Sequence, residues 1–440
     1  MTDPIVLGGA DDRDLTKLAE YEAIGGYTQL ARARGMEPAA LIDAVLASNL
    51  RGRGGAFFAT GRKWSFIPKP DQNPNPHYLV VNADESEPGS FKDNEIMQRV
   101  PHRFIEGCLI TAHAVDSKQV FIYVRGEYLE AYEILVAALE EVRGREEIRG
   151  DVTIVVHRGA GAYICGEETA LIESLEGKRG QPRSKPPFPA ISGLYASPTV
   201  VNNVETMATL PPIIEMGGAE YAKLGVPDSR GTRVVSISGH VEKPGNYEIE
   251  NGTSMRELIY GLGGGIPDGR QLKAVIPGGS STVILKGDEI DVGYDFNSLL
   301  KLNTAMGSAG VVALDDRCCM VQLGIRISEF YEHESCGKCT PCREGTRWMT
   351  QILRRLESGD ALQSELDLLL DVCDRINGKC LCPLGETAAV AVASYVEKFR
   401  GEFIAHVEQG GCPFGDSSPL HDVLAPVAMH LHSASSAVPA

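Results

Sequence analysis

The sequence Ser335-Cys336-Gly337-Lys338-Cys339-Thr340-Pro341-Cys342 carries three cysteines at intervals of three residues. This spacing places three thiols on one short loop, close enough together to hold a single inorganic centre, and Gly337 permits the tight turn. A cuboidal or tetrahedral centre needs a fourth thiolate. The sequence Cys380-Leu381-Cys382-Pro383 offers one at Cys382, because a Cys-Pro pair commonly ends the ligand set of an iron–sulfur cluster. We therefore predict a [4Fe–4S] cluster held by four cysteine thiolates.

Other interpretations of these cysteines stay open. Cys380 competes with Cys382 for the fourth place. Zinc also accepts four thiolates, although structural zinc sites more often use paired C-x2-C knuckles than C-x2-C-x2-C. Unliganded reduced cysteines are the least favoured interpretation, because thiols this dense and uncapped would be open to oxidation.

Composition and charge limit the classes of protein that fit. Lys and Arg number 42 against 59 Asp and Glu, and the net charge of −17 argues against general binding to nucleic acid or anionic membranes. The N-terminus Met1-Thr2-Asp3-Pro4 lacks the basic and apolar regions of a signal peptide, and no segment offers about 18 mostly apolar residues. We expect a soluble chain in a reducing cytoplasm, where 11 cysteines indicate metal ligation or reduced thiols.

A glycine-rich stretch near the N-terminus predicts a phosphate-binding loop. It reads Arg51-Gly52-Arg53-Gly54-Gly55-Ala56-Phe57-Phe58-Ala59-Thr60-Gly61-Arg62-Lys63-Trp64. Its glycines let backbone N–H groups approach an anion, while Arg53 and Lys63 supply positive charge. The stretch is not the dinucleotide fingerprint, because Phe57 stands where the last glycine of G-x-G-x-x-G would be. A plain Gly-rich linker is the alternative.

Short apolar runs then alternate with helical patterns. The runs His77–Val81, Gln119–Val124 and Val152–Val156 predict buried strands, and Pro101–Val115 and Tyr128–Val142 predict the helices between them. A β-α-β-α-β order of this length indicates a parallel sheet that is covered on both faces. Ligands of such sheets bind beyond the carboxyl ends of the strands.

Polar loops follow the first and third predicted strands, where a crevice is expected. They are Asn82–Gly89 and Arg158–Thr169, and their carboxylates are too numerous for a site that only grips phosphate. These carboxylates belong to Asp84, Glu85, Glu87, Glu167 and Glu168. They would suit sugar hydroxyls or an amide. The alternative for Glu167 and Glu168 is that they favour the dipole at a helix N-terminus.

Two further segments complete the predicted crevice. Lys178–Gly193 is rich in proline and basic residues, so we expect an irregular lid that carries Lys185 and Phe188 toward a ligand. Val200–Thr206 is predicted to open a helix, and its two asparagines could cap that helix or hydrogen-bond a heterocycle.

The C-terminal half carries two other patterns. Alternating runs such as Thr232–Ser238 and Leu272–Ile276 predict a small β-grasp-like domain. From about Ile325 the periodicity is helical and indicates a bundle that presents the cysteine loop, with Cys373 in its core. We predict no chemistry for the β-grasp-like domain or for the tail after Gly410.

Together these features predict electron transfer. A phosphate-and-heterocycle site in one domain and an iron–sulfur centre in another imply that electrons pass between the two. A cluster takes one electron at a time whereas a nicotinamide gives a hydride, so a two-to-one-electron converter must lie between them. Flavin is that converter.

Five stretches of the chain resemble one known family. They are Arg51–Ala56, Thr60–Phe66, Asn82–Gly89, Gly159–Gly177 and Ser335–Cys342. In this order they closely resemble the FMN- and NADH-binding iron–sulfur subunit of bacterial respiratory complex I, NADH:quinone oxidoreductase. The likeness runs from about Leu50 to Val407.

The chain departs from the family pattern within the glycine-rich loop. Phe57 and Ala59 stand where the family has Gly and Pro. Phe takes a positive φ less easily than Gly, and a loop without Pro is looser. Both substitutions therefore bear on the fit of the nucleotide.

The resemblance implies roles for particular residues. It implies that FMN is bound by Gly52, Arg53, Gly54, Gly55, Lys63, Asn82, Asp84, Gly166, Val201, Asn202, Asn203 and Thr206. It implies that the adenine of NADH meets Phe58, Phe66 and Phe188, and that the rest of NADH meets Glu85, Glu87, Glu167, Glu168 and Lys185. Of these, Glu85, Glu87 and Glu168 would position the dinucleotide for reaction, and Glu168 would repel the extra phosphate of NADPH. The cluster ligands carry over as Cys336, Cys339, Cys342 and Cys382.

The resemblance also implies a function and partners. The chain would oxidise NADH by hydride transfer to FMN and pass single electrons through the [4Fe–4S] cluster to a thioredoxin-like [2Fe–2S] subunit and a large iron–sulfur subunit. These would form a peripheral arm at the cytoplasmic face of the plasma membrane. Alternatives are a diaphorase subunit of an NAD-reducing hydrogenase or an NAD-dependent formate dehydrogenase, and a zinc-stabilised scaffold without enzymatic activity.

The predicted fold class is α/β with a helix bundle. Residues 1–65 would form a helical region with the phosphate loop, and 66–230 a parallel-sheet, Rossmann-like domain for FMN and NADH. Residues 231–325 would form the β-grasp-like, ubiquitin-like domain, and 326–440 the helix bundle with the cluster and the tail.

Overall fold

The computed structural model describes residues 3–69 and 72–421. The last part of the predicted tail, residues 422–440, therefore lies outside the described residues. Within this part of the chain, no helix has the length and apolar character needed to cross a bilayer.

Short helices form the N-terminal region, which the sequence predicted to be helical. They are α1 (Leu18–Ala23), α2 (Thr28–Arg34), α3 (Pro38–Ala47) and α4 (Thr60–Trp64). Glycines interrupt the pattern after α1, and a Cβ at Gly26 would lie 2.2 Å from the Tyr21 ring. The buried Glu106 carboxylate accepts hydrogen bonds from the N–H groups of Tyr27 and Leu30, which fixes the start of α2. Glycine placement thus divides the helical segment.

The first residues of the chain are held by a distant carboxylate. Glu248 accepts backbone N–H donors from Ile5, Val6 and Leu7 at 2.9–3.0 Å. A carboxylate that accepts several N–H groups makes charge-assisted hydrogen bonds, which are stronger than neutral ones. The N-terminal segment is thereby attached to Glu248, about 240 positions later in the chain. That residue lies on the strand Gly245–Glu250 of the five-stranded sheet described below.

A four-stranded parallel sheet forms the centre of the nucleotide-binding half. Its strands are β1 (His77–Ala83), β2 (Ser117–Val124), β3 (Thr153–Arg158) and β4 (Thr199–Asn203), in the order β3-β2-β1-β4. The surrounding helices are α5 (Lys92–Arg99), α6 (Pro101–Ala114), α7 (Leu129–Arg143), α8 (Glu146–Arg149), α9 (Glu168–Leu175), α10 (Pro189–Ser192), α11 (Val204–Ala208), α12 (Leu210–Met216) and α13 (Gly218–Tyr221). All neighbouring strands of this sheet pair in parallel.

Strand β4 corrects the sequence interpretation. The segment 200–206 was predicted to open a helix, but Thr199–Asn203 is a strand and the helix begins at Val204. Its short apolar run is stabilised by pairing with β1, with Val80 opposite Val201, and such non-local pairing overrides local propensity. Because the chain proceeds outward from β1 to β3 and then returns to the other side of β1, a topological switch point lies between β1 and β4.

A second sheet of five strands follows. After the two-stranded ribbon β5 (Gly225–Val226) and β6 (Ser229–Arg230), its strands are β7 (Thr232–Gly239), β8 (Gly245–Glu250), β9 (Leu272–Ile276), β10 (Leu285–Lys286) and β11 (Gly310–Asp315), with α14 at Phe296–Leu300. The order is β10-β9-β11-β7-β8, and the central β7 and β11 run parallel. A mixed sheet with its first and last strands parallel at the centre agrees with the predicted β-grasp-like class.

A helix bundle completes the described chain. Its members are α15 (Met320–Glu334), α16 (Thr340–Ser358), α17 (Ser364–Ile376), α18 (Pro383–Lys398) and α19 (Arg400–Gln409). The bundle shares a continuous apolar core with one face of the parallel sheet, in which Val80 and Leu171 join Met320 and Leu353. Cys373 is buried there beside Met349, in agreement with the prediction. This shared core fixes the cysteine loop relative to the sheet.

Candidate functional site

The glycine-rich loop lies against the carboxyl end of β4. The Arg53 N–H donates to Thr206 Oγ1 at 2.9 Å, and Lys63 Nζ donates to the Val201 carbonyl at 3.0 Å. Trp64 Nε1 donates to Asn202 Oδ1 at 3.0 Å. These bonds bring two separate motifs of the sequence to the switch point between β1 and β4.

Close approach explains the glycines of this loop. A Cβ at Gly54 would lie 3.2 Å from the Cβ of Asn203, tighter than an ordinary contact. Gly55 has φ +108, a conformation that side-chain-bearing residues rarely adopt, and faces Gly307. Gly52 donates its N–H to the Phe58 carbonyl. The loop therefore presents main-chain atoms without side chains at Gly54 and Gly55, along the edge that faces the strand ends.

Arg53 has a different environment from the one the sequence indicated. Its side chain is 1% exposed, and its guanidinium donates to the carbonyls of Arg230 at 3.0 Å and Thr232 at 2.8 Å. The guanidinium thus ties the loop to the start of β7, and its charge is used inside the protein. Lys63, half-buried beside β4, is the predicted cation that stays near the crevice, where burial lowers its pKa.

Phe57 adopts the strained conformation that the sequence made unfavourable. Its φ is +54, yet its ring is buried with the Arg233 guanidinium 4.5 Å above it and Phe296 5.7 Å away. A left-handed non-glycine residue costs about 1–2 kcal/mol, which aromatic and cation–π packing of this kind can offset. The ring belongs to the core of the second sheet, so it anchors the loop rather than occupying the nucleotide crevice.

Asp84 stands at the carboxyl end of β1 as a buried acid. Neither of its carboxylate oxygens has a hydrogen-bond partner among residues 3–69 and 72–421. Burial, opposed by the charge of Arg125, raises the pKa of Asp84 to about 7. Next to it, Asn82 lies opposite Asn203 in the strand register and donates through Nδ2 to the Gly166 carbonyl at 2.8 Å. The carboxyl end of β1 thus brings together polar groups of the kind that bind a ligand.

Glu85 and Glu87 are held by the protein itself. Glu85 accepts from the N–H groups of Asp93 and Asn94, each at 3.0 Å, at the start of α5. Glu87 accepts from Tyr163 Oη at 2.7 Å and from the Ser281 N–H at 2.7 Å. Both side chains are buried by these contacts, and burial raises the pKa of each carboxyl. Their predicted contact with NADH stays a prediction.

Glu167 and Glu168 share one lysine at the open side of the crevice. Lys185 Nζ lies 2.6 Å from Glu168 Oε1 and 3.2 Å from Glu167 Oε1. Glu167 also caps α9, since its other oxygen accepts from the N–H groups of Thr169 and Ala170. The helix-terminal interpretation therefore describes Glu167, whereas Glu168 faces Lys185 from the first turn of the helix.

Exposed aromatic rings border this opening. Phe58 and Phe66 lie with ring centroids 6.0 Å apart and are 42% and 47% exposed. Phe188 is 57% exposed at the N-terminus of α10, a short helix inside the lid segment that the sequence predicted to be irregular throughout. Large apolar surface left open beside a polar crevice is typical of a ligand site.

The cysteine loop joins the starts of two helices. Cys339 is the N-cap residue of α16 and Cys382 that of α18, where the positive ends of the helix dipoles favour thiolate charge. Leu381 donates its N–H to Cys339 Sγ at 3.2 Å, and the Ser335 hydroxyl lies 3.2 Å from Cys342 Sγ. These contacts give the sulfurs of the loop backbone and hydroxyl support.

The separation of the thiols bears on the choice of metal. No three of the sulfurs at positions 336, 339, 342, 380 and 382 lie within 4.8 Å of one another. Four thiolates around one zinc would be separated by about 3.8 Å, given Zn–S bonds of about 2.3 Å. The wider arrangement fits a centre built from several metal ions better than a single zinc. Of the two candidates for the fourth ligand, Cys382 is the N-cap residue of α18, whereas the Cys380 thiol lies 3.6 Å from the Ile376 carbonyl. We keep Cys382 as the predicted ligand.

The crevice and the cysteine loop are direct neighbours. Gln181 Nε2 donates to the Cys336 carbonyl at 3.1 Å, and Lys338 Nζ donates to the Pro182 carbonyl at 2.6 Å. On the other side, the Tyr163 N–H donates to Glu334 Oε2 at 2.9 Å. The predicted lid segment thus contacts the loop that would carry the cluster.

These observations fit the groups that the sequence implied. The bare backbone at Gly54 and Gly55, with Lys63 beside it, suits a phosphate. The orphaned oxygens of Asp84 suit a ligand that presents N–H or hydroxyl donors, as a flavin ring and ribityl chain do. Cysteine sulfurs at two helix N-termini suit an anionic iron–sulfur centre.

Fold and site together define the class of this protein: a flavin-type oxidoreductase component with an iron–sulfur binding region. Comparison with protein families agrees, because residues 45–212 match the Nuo51 FMN-binding domain, 234–285 the SLBB domain, and 323–406 the NADH-ubiquinone oxidoreductase-F iron–sulfur binding region. The chain belongs to the family of NADH-quinone oxidoreductase F subunits.

Similarity to individual relatives extends over most of the chain. An NADH-quinone oxidoreductase F subunit of Rhizobium meliloti is 48% identical over 94% of this chain and 100% of that protein. The F subunit of Mycobacterium bovis is 48% identical over 93% of this chain and 95% of that protein. The F subunit of Streptomyces coelicolor is 46% identical over 93% of this chain and 92% of that protein.

Solved structures with the same architecture come from another enzyme. A chain of NAD+-reducing [NiFe]-hydrogenase in the air-oxidised state has a TM-score of 0.80 and 33% identity over 91% of this chain. The H2-reduced state gives a TM-score of 0.77 and 34% identity over 86%. This chain spans 66% and 64% of the length of those two hydrogenase chains.

A buried charge network beneath the crevice escaped the sequence analysis. Lys92 Nζ lies 2.8 Å from both Asp93 Oδ1 and Glu205 Oε2, and all three side chains are buried. Asp93 in turn accepts from Asn203 Nδ2 at 2.5 Å. The sequence shows the adjacent charges of Lys92 and Asp93 at the start of α5, but their partner Glu205 lies more than 100 residues later in the chain. The network holds Asn203 at the end of β4.

Proposed function

We propose that this chain is the electron input of a respiratory NADH:quinone oxidoreductase. NADH is its reductant, and the electrons leave toward partner subunits of the complex. When bound, FMN accepts a hydride and returns electrons singly, and a [4Fe–4S] cluster accepts them one at a time. The observation that carries this proposal is the contact between the crevice and the cysteine loop through Gln181 and Lys338.

The flavin side would be held by the loop and the strand ends. Gly52, Gly54, Gly55 and the backbone of Arg53 would receive the phosphate, with Lys63 as the nearby cation. Asp84 would accept a hydrogen bond from the flavin, and its raised pKa lets it meet that group with or without its own proton. Further contacts would come from Asn82, Gly166, Val201, Asn202, Asn203 and Thr206.

The nucleotide side would be the opening between the exposed rings and the Lys185 pair. Phe58, Phe66 and Phe188 offer faces for the adenine. Glu168 would orient the ribose and disfavour an additional phosphate there, while Lys185 meets the diphosphate. Glu85, Glu87 and Glu167 would act mainly by fixing the walls of the crevice, because each is engaged by protein donors.

The catalytic contribution of these residues is positioning. No general base is needed for hydride transfer, so the walls must hold the nicotinamide against the flavin and keep water and oxygen out. Cys336, Cys339, Cys342 and Cys382 would hold the cluster at the adjoining loop, which keeps the electron path short.

The partners follow from the family. The F subunit belongs to the NADH-quinone oxidoreductase complex. We propose a thioredoxin-like [2Fe–2S] subunit and a large iron–sulfur subunit as its neighbours, in a peripheral arm at the cytoplasmic face of the plasma membrane. The second candidate function is a diaphorase subunit that reduces NAD+, favoured by the likeness to NAD+-reducing [NiFe]-hydrogenase.

An anaerobic absorption spectrum before and after NADH, with acid extraction of the flavin, tests the proposal. Broad iron–sulfur absorbance with flavin bands that bleach on NADH, and FMN in the extract, is the expected result. A colourless chain would contradict it. Bleaching by dithionite alone would leave the cluster and refute the NADH site. Co-purification with hydrogenase subunits instead of quinone-reductase subunits would favour the second candidate.

A further inference from the structure

A second cluster of metal-type ligands lies in the helix bundle, away from the cysteine loop. It consists of Cys319, Glu357, His406 and Cys412, whose ligand atoms all lie within 4.8 Å of one another. They come from the N-cap of α15, the last turn of α16, the last turn of α19 and the turn after α19. The sequence spacing shows no motif, because the residues are distant in the chain.

This cluster is separate from the iron–sulfur region. Cys342 and Glu357 both lie on α16, and the 15 residues between them correspond to about 22 Å along the helix axis. The two sites therefore occupy opposite ends of the same helix.

The distances within the cluster match those around one tetrahedral ion. Cys319 Sγ lies 3.7 Å from Cys412 Sγ and 3.3 Å from His406 Nε2, and that nitrogen lies 3.4 Å from Glu357 Oε2. For zinc, ordinary bond lengths give about 3.8 Å between two sulfurs, about 3.6 Å between sulfur and nitrogen, and about 3.3 Å between nitrogen and oxygen. The donor atoms are thus already arranged around a common centre.

Hydrogen bonds fix which atoms face that centre. His406 Nδ1 lies 2.7 Å from the Glu402 carbonyl, and a carbonyl can only accept, so Nδ1 carries the proton. In the neutral ring this leaves the lone pair on Nε2, which is the arrangement that metal-ligating histidines use. Gln322 Nε2 donates to Glu357 Oε1 at 2.8 Å and leaves Oε2 without a hydrogen-bond partner among the described residues.

Electrostatics requires a positive charge at this place. His406 and Cys319 are fully buried, and Nε2 and the orphaned Oε2 turn toward each other. Two lone pairs facing each other without a cation would be unfavourable in a buried site. A proton on Nε2 would supply that cation in the simplest case, but the two thiols beside it would then make only weak sulfur contacts, among them the one from Gln322 Nε2 to Cys412 Sγ at 3.5 Å.

We propose that Cys319, Glu357, His406 and Cys412 bind a structural zinc ion. Two sulfurs, one nitrogen and one oxygen form a closed four-ligand set, which is typical of structural rather than catalytic zinc. The ion would tie the turn after α19 to α15 and α16. A similar group at His240, Asp315 and Cys318 is the weaker candidate, because Asp315 already accepts from the Arg317 guanidinium.

Metal analysis of the full chain with its cluster tests the proposal. Elemental mass spectrometry should find about one zinc per chain together with the iron. Zinc X-ray absorption should show two sulfur ligands at about 2.3 Å and two nitrogen or oxygen ligands at about 2.0–2.1 Å. A four-sulfur environment would place zinc on the cysteine loop and overturn the proposal. So would a chain without zinc after incubation with one equivalent of Zn2+, or a disulfide between Cys319 and Cys412.

Variants separate this site from the iron centre. Cys412→Ser should remove at least about nine-tenths of the zinc and leave the iron content unchanged, whereas the buried control Cys373→Ser should keep both metals. Zinc retained in Cys412→Ser would contradict the assignment. If that variant fails to fold, Glu357→Gln provides a milder change, which should weaken zinc binding about tenfold or more, the size expected when a site loses ligand support.

Discussion

The crevice beneath the glycine-rich loop and the cysteine loop are built in opposite ways. Around the crevice, Lys92, Asp93 and Glu205 form a buried network whose charges are compensated within the protein. In the cysteine loop, the predicted ligands have few protein partners, and most of the stabilisation must come from the centre they bind. The first region is preorganised by the fold, whereas the second depends on its metal.

The largest effect that this comparison predicts is at the cysteine loop. Cys382→Ser should lose most of the cluster iron, because the substitution removes one of the four predicted thiolate ligands. Cys380→Ser is the matched control and should keep its iron, since its thiol points to the Ile376 carbonyl. Iron content and the absorbance of the reduced and oxidised chain provide the measurement. If Cys380→Ser loses the iron and Cys382→Ser keeps it, Cys380 rather than Cys382 is the fourth ligand.

The next effect concerns the stability of the crevice. Lys92→Met should lower the free energy of unfolding by about 3–5 kcal/mol, because it leaves the buried Asp93 carboxylate without its cation and removes one of the cations that face Glu205. Lys118→Met removes an exposed pair with Asp151 and should cost less than about 1 kcal/mol. Thermal unfolding of both variants measures the difference. Equal losses of unfolding free energy in the two variants would mean that the buried network stabilises the protein no more than the exposed ion pair does.

A smaller effect should appear in the pH dependence of stability. The folded chain raises the pKa of Asp84 to about 7, against about 3.9 in an unfolded chain. Between these values the folded state keeps a proton that the unfolded state has released, so stability falls as pH rises, by up to about 1.4 kcal/mol per pH unit. The loss is complete above the folded pKa.

Asp84→Asn should reduce this slope in the flavin-free chain by the share of Asp84, while the share of Glu85, whose pKa burial also raises to about 7, remains. Relative to the unmodified chain, its thermal midpoint should improve steadily from about pH 5 to 7 and then level off. Asp151→Asn serves as the control, because the hydrogen bond from Lys118 lowers the pKa of Asp151 out of this range. Parallel pH profiles for Asp84→Asn and the unmodified chain would show that Asp84 is ionised throughout.

The smallest effect should be at the nucleotide opening. Glu168→Gln should improve the use of NADPH relative to NADH by no more than about fivefold, since its charge is partly compensated by Lys185 and partly exposed. The ratio of kcat/KM for the two nucleotides measures it, with the exposed Glu133→Gln as control. An unchanged ratio would remove Glu168 from the specificity site.

The sequence predicted most where chemistry is local. The cysteine spacing, the first three parallel strands and the glycines of the loop are all short-range patterns, and the structure has each element in place. The prediction that β3 is buried was wrong, because β3 is an edge strand of the sheet and Val155 is 41% exposed. The sequence did not predict contacts between residues that lie far apart in the chain. The direction of the Arg53 side chain depends on carbonyls 177 and 179 positions later, and β4 becomes a strand because β1 is beside it.

Distance along the chain also explains why the sequence did not predict the proposed zinc ligands in the helix bundle. Cys319 and Cys412 are separated by 93 positions, and no interval between single cysteines distinguishes a ligand from a core thiol. The turn that carries Cys412 belongs to the tail for which the sequence predicted no chemistry, and only the packing of α19 against α15 and α16 brings it to its partners.

The attachment of the N-terminal segment to Glu248 has a consequence for synthesis. A ribosome that adds about 5–20 residues per second needs roughly 12–50 seconds to extend the chain from Val6 to Glu248. During that interval the amide groups of Ile5, Val6 and Leu7 have no native acceptor. This segment therefore cannot reach its final place until the strand that carries Glu248 has been synthesised.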